Sequence, residues 1–309
     1  MSFKSKLILP ALAAVFVFSF SAFAQKKPAA KPAVKSVAAQ RTITVSTEPN
    51  ATVWVDDVKR GVTDAGGKLT GVKLSSTSKI LRVRAGGFKQ AAMVLTPALK
   101  GVVKVKLEVT GDNAELLFQK AEALREKPVA SEDERKQAVE LYEQALRLRP
   151  KFPEAHLGLA RVYFDLKDTD SAMQQVVKAR TDRPIYPEIS TVEGRIYHED
   201  YDDEMAVKAY TRAIKEGRGY QPEAHTGLGI IYKEQEKYDE AIKEFKAAIS
   251  QLFDTEPVLY QLLGELYEKM RNYKEAIKIY EQYLKAAPNS PDATAIRSVM
   301  EQLKKEQPE

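Results

Sequence analysis

The sequence predicts a multidomain fold: a small all-β domain over residues 41–110 and an all-α solenoid over 112–305. Three observations predict it. Apolar and polar residues alternate at period two in short runs between Arg41 and Leu107, the pattern of half-buried antiparallel strands. A small residue recurs at Ala138, Ala172, Ala206, Ala241 and Ala276, at spacings of 34, 34, 35 and 35, which is the pattern of stacked helix pairs. Charge divides at the same boundary: residues 25–111 carry 16 Lys/Arg against 5 Asp/Glu, and residues 112–309 carry 30 against 38. Halves of opposite sign can dock on each other or serve different partners.

The 309 residues are 44% hydrophobic, enough for a sizeable core, and include no cysteine. A disulfide, a thiolate metal site and a cysteine nucleophile are therefore excluded. At the amino terminus Lys4 and Lys6 precede an apolar run from Leu7 to Phe18. Ala22-Phe23-Ala24 then matches a small-x-small cleavage pattern, so residues 1–24 read as a signal peptide and the mature chain begins at Gln25. The alternative, an uncleaved anchor, needs about 20 apolar residues, and this run is shorter and holds Pro10. Residues 25–40, rich in Lys, Pro and Ala, read as an extended tether. The expected location is periplasmic or secreted.

In the β-domain, Ile43 and Val45 share one strand face, and Pro49-Asn50 forms a turn because Asn tolerates the left-handed conformation. Ala51, Val53 and Val55 face the core of the next strand, with Thr52, Trp54 and Asp56 opposite. Leu81, Val83 and Ala85 alternate with Arg82 and Arg84, and Val103, Val105 and Leu107 with Lys104 and Lys106. Those four cations project from non-core faces, either as a basic stripe for an anionic cell-wall polymer or as a solvated surface. The run Pro49-Asn50-Ala51-Thr52-Val53-Trp54-Val55-Asp56-Asp57, then Gly61-Val62-Thr63-Asp64, then Gly87-Phe88, resembles the PEGA family of small surface-associated β-domains. Asn50 and Asp57 stand where that family has glycines, and Asp64 where it has a proline. The resemblance implies a small antiparallel sandwich and an envelope location. Because the family carries an aromatic residue at the position of Trp54, it implies packing there rather than stacking on a ligand.

In the helical half, Ala145, Ala179, Ala213, Ala248 and Tyr283 follow the recurring alanines by seven residues. Ala160, Gly194, Gly229 and Gly264 are each followed three residues on by Tyr163, Tyr197, Tyr232 and Tyr267. Small residues let helices approach, and aromatic ones fill the gaps between pairs. This pattern resembles tetratricopeptide repeats. Five repeats fit, over about 114–152, 153–186, 187–221, 222–256 and 257–290, with a capping helix at 291–305. The first has about five extra residues in its internal turn near 128–132. In such repeats the first helix of each pair lines a concave face. The resemblance places Glu154, Leu157, Arg161 and Phe164, then Thr191, Arg195 and His198, in that groove. Thr226, Ile230 and Lys233, then Gln261 and Glu265, continue it. Arg161 and Arg195 hold the same repeat position and suit carboxylate capture. Chaperone-type clamps of this family need groove asparagines, and none of these positions is Asn.

No arrangement for chemistry emerges. His156 and His225 share one packing position, without a recurring carboxylate or nucleophile beside them. The acidic run 198–204 lacks the glycine and spacing of a calcium loop. No phosphate-binding glycine motif, serine elbow or H-E-x-x-H is present, so neither cofactor nor metal is expected. Export and the acidic repeats argue against nucleic acid. The sequence thus points to a non-catalytic envelope adaptor that binds protein segments in its groove. The alternative is a polysaccharide binder acting through the basic β-domain, with the repeats as spacer.

Overall fold

The computed structural model describes residues 41–56, 58–74, 78, 80–252 and 255–306. The expected signal peptide (1–24), the tether (25–40) and Asp57 lie outside them.

Seven strands come first: β1 (Arg41–Ser46), β2 (Thr52–Val55), β3 (Val58–Val62), β4 (Lys68–Leu74), β5 (Ile80–Arg84), β6 (Ala91–Val94) and β7 (Gly101–Lys104). They form two sheets, ordered β4-β1-β7 and β3-β2-β5-β6. Alternation sends Ile43, Val45, Val72, Leu74 and Val103 inward from the first sheet and Val53, Val55, Leu81 and Val83 from the second, into one shared core. The antiparallel expectation fails at one pair, since β1 and β7 run parallel. The chain reaches β7 by crossing from one sheet to the other rather than through a hairpin, so no tight turn reverses its direction. Asn50 adopts φ 55°, as its turn requires. Gly67, at φ 71°, donates no room to a side chain: a Cβ there would lie 2.0 Å from the Thr47 carbonyl oxygen. That oxygen's own residue donates its N–H to Gly67 O at 2.8 Å, tying the end of β1 to the start of β4.

Among the described residues eleven helices follow. The first four are α1 (Asn113–Arg125), α2 (Glu132–Leu148), α3 (Pro153–Asp165) and α4 (Thr169–Asp182). Next are α5 (Pro187–Glu199), α6 (Asp203–Glu216), α7 (Pro222–Glu234) and α8 (Tyr238–Leu252), then α9 (Val258–Lys269), α10 (Tyr273–Ala286) and α11 (Ala293–Glu306). Consecutive helices pair, odd with even. Pro153, Pro187 and Pro222 open α3, α5 and α7, where the missing N–H costs no helical bond. The turns inside the later pairs are copies of one another. Lys167, Tyr201, Glu236 and Arg271 take positive φ. The next residue bonds back to the aromatic carbonyl, as in Asp168 N–H to Tyr163 O at 2.9 Å and Asn272 N–H to Tyr267 O at 2.8 Å. Asp168, Asp202 and Asn272 then cap the following helix with their side chains. A repeated turn fixes a repeated crossing angle, and the pairs stack. At the far end α11 buries Ala293, Ile296, Met300 and Leu303 and covers the last pair.

Candidate peptide-binding groove

The odd-numbered helices carry the expected groove residues, but these divide into three kinds. Leu157 and Thr191 are structural. Leu157 packs with Ala160 and Tyr186 in the core, and the fully buried Thr191 donates its hydroxyl hydrogen to Pro187 O at 3.1 Å. Several charges are spent locally. Lys233 pairs with Glu265 at 3.1 Å, where Gln261 also donates at 3.3 Å. His198 lies between Asp203 at 2.9 Å and Glu234 at 3.7 Å, and Glu154 pairs with Arg183 at 3.2 Å. Thr226 bonds its own helix at Pro222 O, and Ile230 is half-buried against the last repeat pairs.

Arg161 and Arg195 are the third kind. Arg161 reaches Glu223 only at 3.7 Å, and Arg195 reaches Asp165 only at 3.9 Å. These separations exceed hydrogen-bond length, and Glu223, Arg195 and Asp165 are solvent-exposed while Arg161 is half-buried, so the pairs contribute little and exchange readily. The Arg195 guanidinium lies 4.4 Å from the centre of the Phe164 ring. Stacking holds its plane while leaving its edge N–H groups to face a carboxylate.

Beside this stack opens a cleft of about 390 Å³ lined by Arg125, Lys127, Pro128, Ala130, Arg135, Val162, Phe164, Asp165, Lys167 and Arg195. Its outer wall is the long turn between α1 and α2, so the extra residues of the first repeat have a spatial role. The groove positions named from the sequence began at Glu154 and did not include Arg125, Lys127 or Arg135. The five cations face a single lining carboxylate. Lys127 and Lys167 are already paired outside the cleft with Glu134 and Glu199, whereas Arg135 has no ion-pair partner among the described residues.

The β-domain sits on the first repeat. Arg84 of β5 donates to Glu122 of α1 at 3.0 Å and to Glu126, the residue that ends that helix, at 2.7 Å, and is itself almost fully shielded from solvent. Glu122 also accepts from Arg125 at 3.0 Å and from the Tyr142 hydroxyl. Burial alone would push the Glu122 carboxyl up, but Arg125, Arg84 and Tyr142 together hold it well below the usual carboxylate range. Lys59 of β3 reaches Glu126 at 3.1 Å, and Gln119 bridges Gly87 N–H and Phe88 O. Trp54 is buried outside the β-core cluster, with the Arg82 and Arg84 guanidiniums each 4.9 Å from its ring, and Arg84 also lies 5.8 Å from the Phe118 ring of α1. The four expected β-face cations are not brought together. Arg82 and Arg84 belong to the four-stranded sheet and lie over the Trp54 ring, with Arg84 bonded to Glu122, whereas Lys104 lies on the three-stranded sheet, and both it and Lys106 are exposed.

Tetratricopeptide-repeat models match residues 130–196 and 233–300, and a second such model matches 195–257. The chain belongs to the tetratricopeptide repeat family. Solved structures with the same fold include Pseudomonas aeruginosa pilF, at 16% identity and TM-score 0.54, covering 63% of this chain and 85% of that one. Yeast Tom70 aligns at 17% identity and TM-score 0.53, covering 63% of this chain and 40% of its own. A thermophilic repeat protein of Thermus thermophilus, TTC0263, aligns at 23% identity and TM-score 0.48, covering 62% and 98%. Comparison with curated proteins finds no match.

The tetratricopeptide register also accounts for the docking of the β-domain. Carried back onto α1, the groove positions fall on Glu115, Phe118, Glu122, Arg125 and Glu126. Two of these, Glu122 and Glu126, are the carboxylates that Arg84 and Lys59 bind. The signal was available in the three carboxylates that this repeat alone places there. His156 and His225, at a shared position, bond Gln175 at 2.8 Å and Glu244 at 2.6 Å on the partner helix, a packing role.

Proposed function

We propose that this protein is an exported, non-catalytic adaptor whose tetratricopeptide groove binds an acidic protein segment, its N-terminal part being a PEGA-like domain that positions it in the envelope. One observation carries the reading: Arg161 and Arg195 recur on successive groove helices, held by long, exchangeable ion pairs, with Arg195 laid on Phe164 beside a cationic cleft. A charged hydrogen bond in such a site contributes about 1.5–3 kcal/mol. The double change Arg161→Ala with Arg195→Ala is expected to weaken capture of an acidic partner by about tenfold or more, one decade being about 1.4 kcal/mol. Helical content should stay the same, because exposed groove side chains add little to folding. Calorimetric titration with a glutamate-rich peptide containing leucines measures this, and equal affinity in the double variant would remove the concave face from consideration.

Export rests on Lys4, Lys6, the apolar run and Ala22-Phe23-Ala24. Mass spectrometry of envelope and medium fractions is expected to find a chain starting at Gln25. A full-length cytoplasmic chain as the sole species would rule the export reading out.

A further inference from the structure

The β-domain touches the solenoid at two distant places. At the first repeat, Arg84 and Lys59 bind Glu122 and Glu126. At the fourth, Arg60 of β3, the neighbour of Lys59, donates to Leu252 O at 3.1 Å and to Gln251 O at 3.3 Å. These are the last carbonyls of α8, which the helix itself leaves unbonded and which carry its negative end, so the guanidinium serves as a cap supplied from 191 and 192 residues away. Tyr220 also donates its hydroxyl hydrogen to Gln251 O at 3.3 Å. Adjacent residues of one strand thus hold the first and fourth repeats, and the β-domain forms a chord across the arc of helices that carries Arg161 and Arg195.

The two attachments differ in kind. The first is a buried network of ionised partners with Trp54 packed over it, and Gln119 adds two backbone contacts. Removing Glu122 would leave the shielded Arg84 and Arg125 without their shared anion. The second sets one cation on two neutral carbonyls of the solenoid, beside the Tyr220 hydroxyl and with Asp56 of its own domain nearby. Burial draws the Arg60 pKa down, which is the direction of a guanidinium held at a cost in hydration.

We propose that the β-domain is a gate over the concave groove, hinged on the first repeat through Arg84, Glu122 and Trp54 and latched on the fourth through Arg60. The latch excludes bulky partners from Arg161 and Arg195 until Arg60 lets go of α8. The proposal builds on the groove reading, but its test uses no groove ligand, so the two fail separately.

The chain has no cysteine, so introduced thiols report single positions. Spin labels at Lys104→Cys and Lys243→Cys measure the β-domain against α8, and labels at Lys104→Cys and Lys120→Cys measure it against α1. In the otherwise native chain both distance distributions should be narrow. Arg60→Ala should broaden the first and leave the second narrow. A bulky polyethylene-glycol maleimide should label a single groove thiol at Thr226→Cys faster in the Arg60→Ala chain by at least about tenfold, since each of the two lost hydrogen bonds of a charged donor is itself about a decade or more. Tyr220→Phe, a milder change at the latch, should shift both readouts the same way by less, and serves alone if Arg60→Ala fails to fold. Unchanged distances and labelling, or equal broadening of both label pairs, would overturn the gate. Broadening without faster labelling would equally overturn it, because the groove would then not lie behind the latch.

Discussion

Glu122→Ala is expected to cost about 3–5 kcal/mol of stability, the range for removing one partner of a buried ion pair. Its carboxylate takes Arg84 from the β-domain, Arg125 from its own helix and the hydroxyl of the fully buried Tyr142 from α2. Deleting it leaves two guanidiniums and a phenol facing one another without the anion that organises them. Denaturant titration of the protein measures the effect, and a loss below about 1 kcal/mol would mean that water or Glu126 takes over the role. The same residue sets a pH dependence. Its folded pKa is depressed, so its contribution is complete above the unfolded value of about 4.3 and is lost as pH falls below it. The stability gap between wild type and Glu122→Gln should therefore be constant above about pH 5 and shrink as pH falls from about 5 to about 2. A gap that stays constant over that interval would mean that Glu122 is not held ionised by its partners.

Gly264→Leu is expected to destabilise the solenoid by about 3 kcal/mol, the upper end of ordinary overpacking. A Cβ at Gly264 would lie 2.4 Å from Cε1 of Tyr280, whose ring is buried and whose hydroxyl is bonded to Glu268, so the ring cannot swing aside freely. Gly229→Leu should follow with a smaller loss, because its Cβ would meet Phe245 at 2.7 Å and Phe245 has no hydroxyl tether. Gly111→Ala is the control: nothing lies within 4 Å of its Cβ position, and stability should change by no more than about 0.5 kcal/mol. Thermal and urea melts on the three variants decide the order. If Gly264→Leu melted with the control, the helix contacts described around Tyr280 would be wrong.

The groove was only partly legible in the sequence. Repeat position placed Arg161 and Arg195 on one side of successive helices, because residues one period apart meet the same environment. It could not separate them from Leu157 and Thr191, which the neighbouring pair buries. Nor could it show that Lys233 and His198 are occupied by Glu265 and Asp203, since those partners come from another repeat and from the next turn. The cleft escaped notice because one of its walls is the long turn of the first repeat, the segment where periodicity breaks.

By itself the sequence determined the two-part architecture, the helix pairing and the opposite charges of the two parts, all of which depend on short-range periodicity or on composition. Small and aromatic residues recur where helices touch, and apolar residues alternate where strands have one buried face. Only the tertiary structure decided which cations meet which carboxylates. Arg82, Arg84, Lys104 and Lys106 look alike along the chain, yet one sheet turns Arg84 onto Glu122 while the other carries Lys104 to an exposed position. Attraction between halves of opposite charge favours docking but is long-ranged and unspecific. The site of docking is chosen at close range, where Glu122 and Glu126 take Arg84 from one sheet face, and where Arg60, midway along β3, comes within reach of the end of α8.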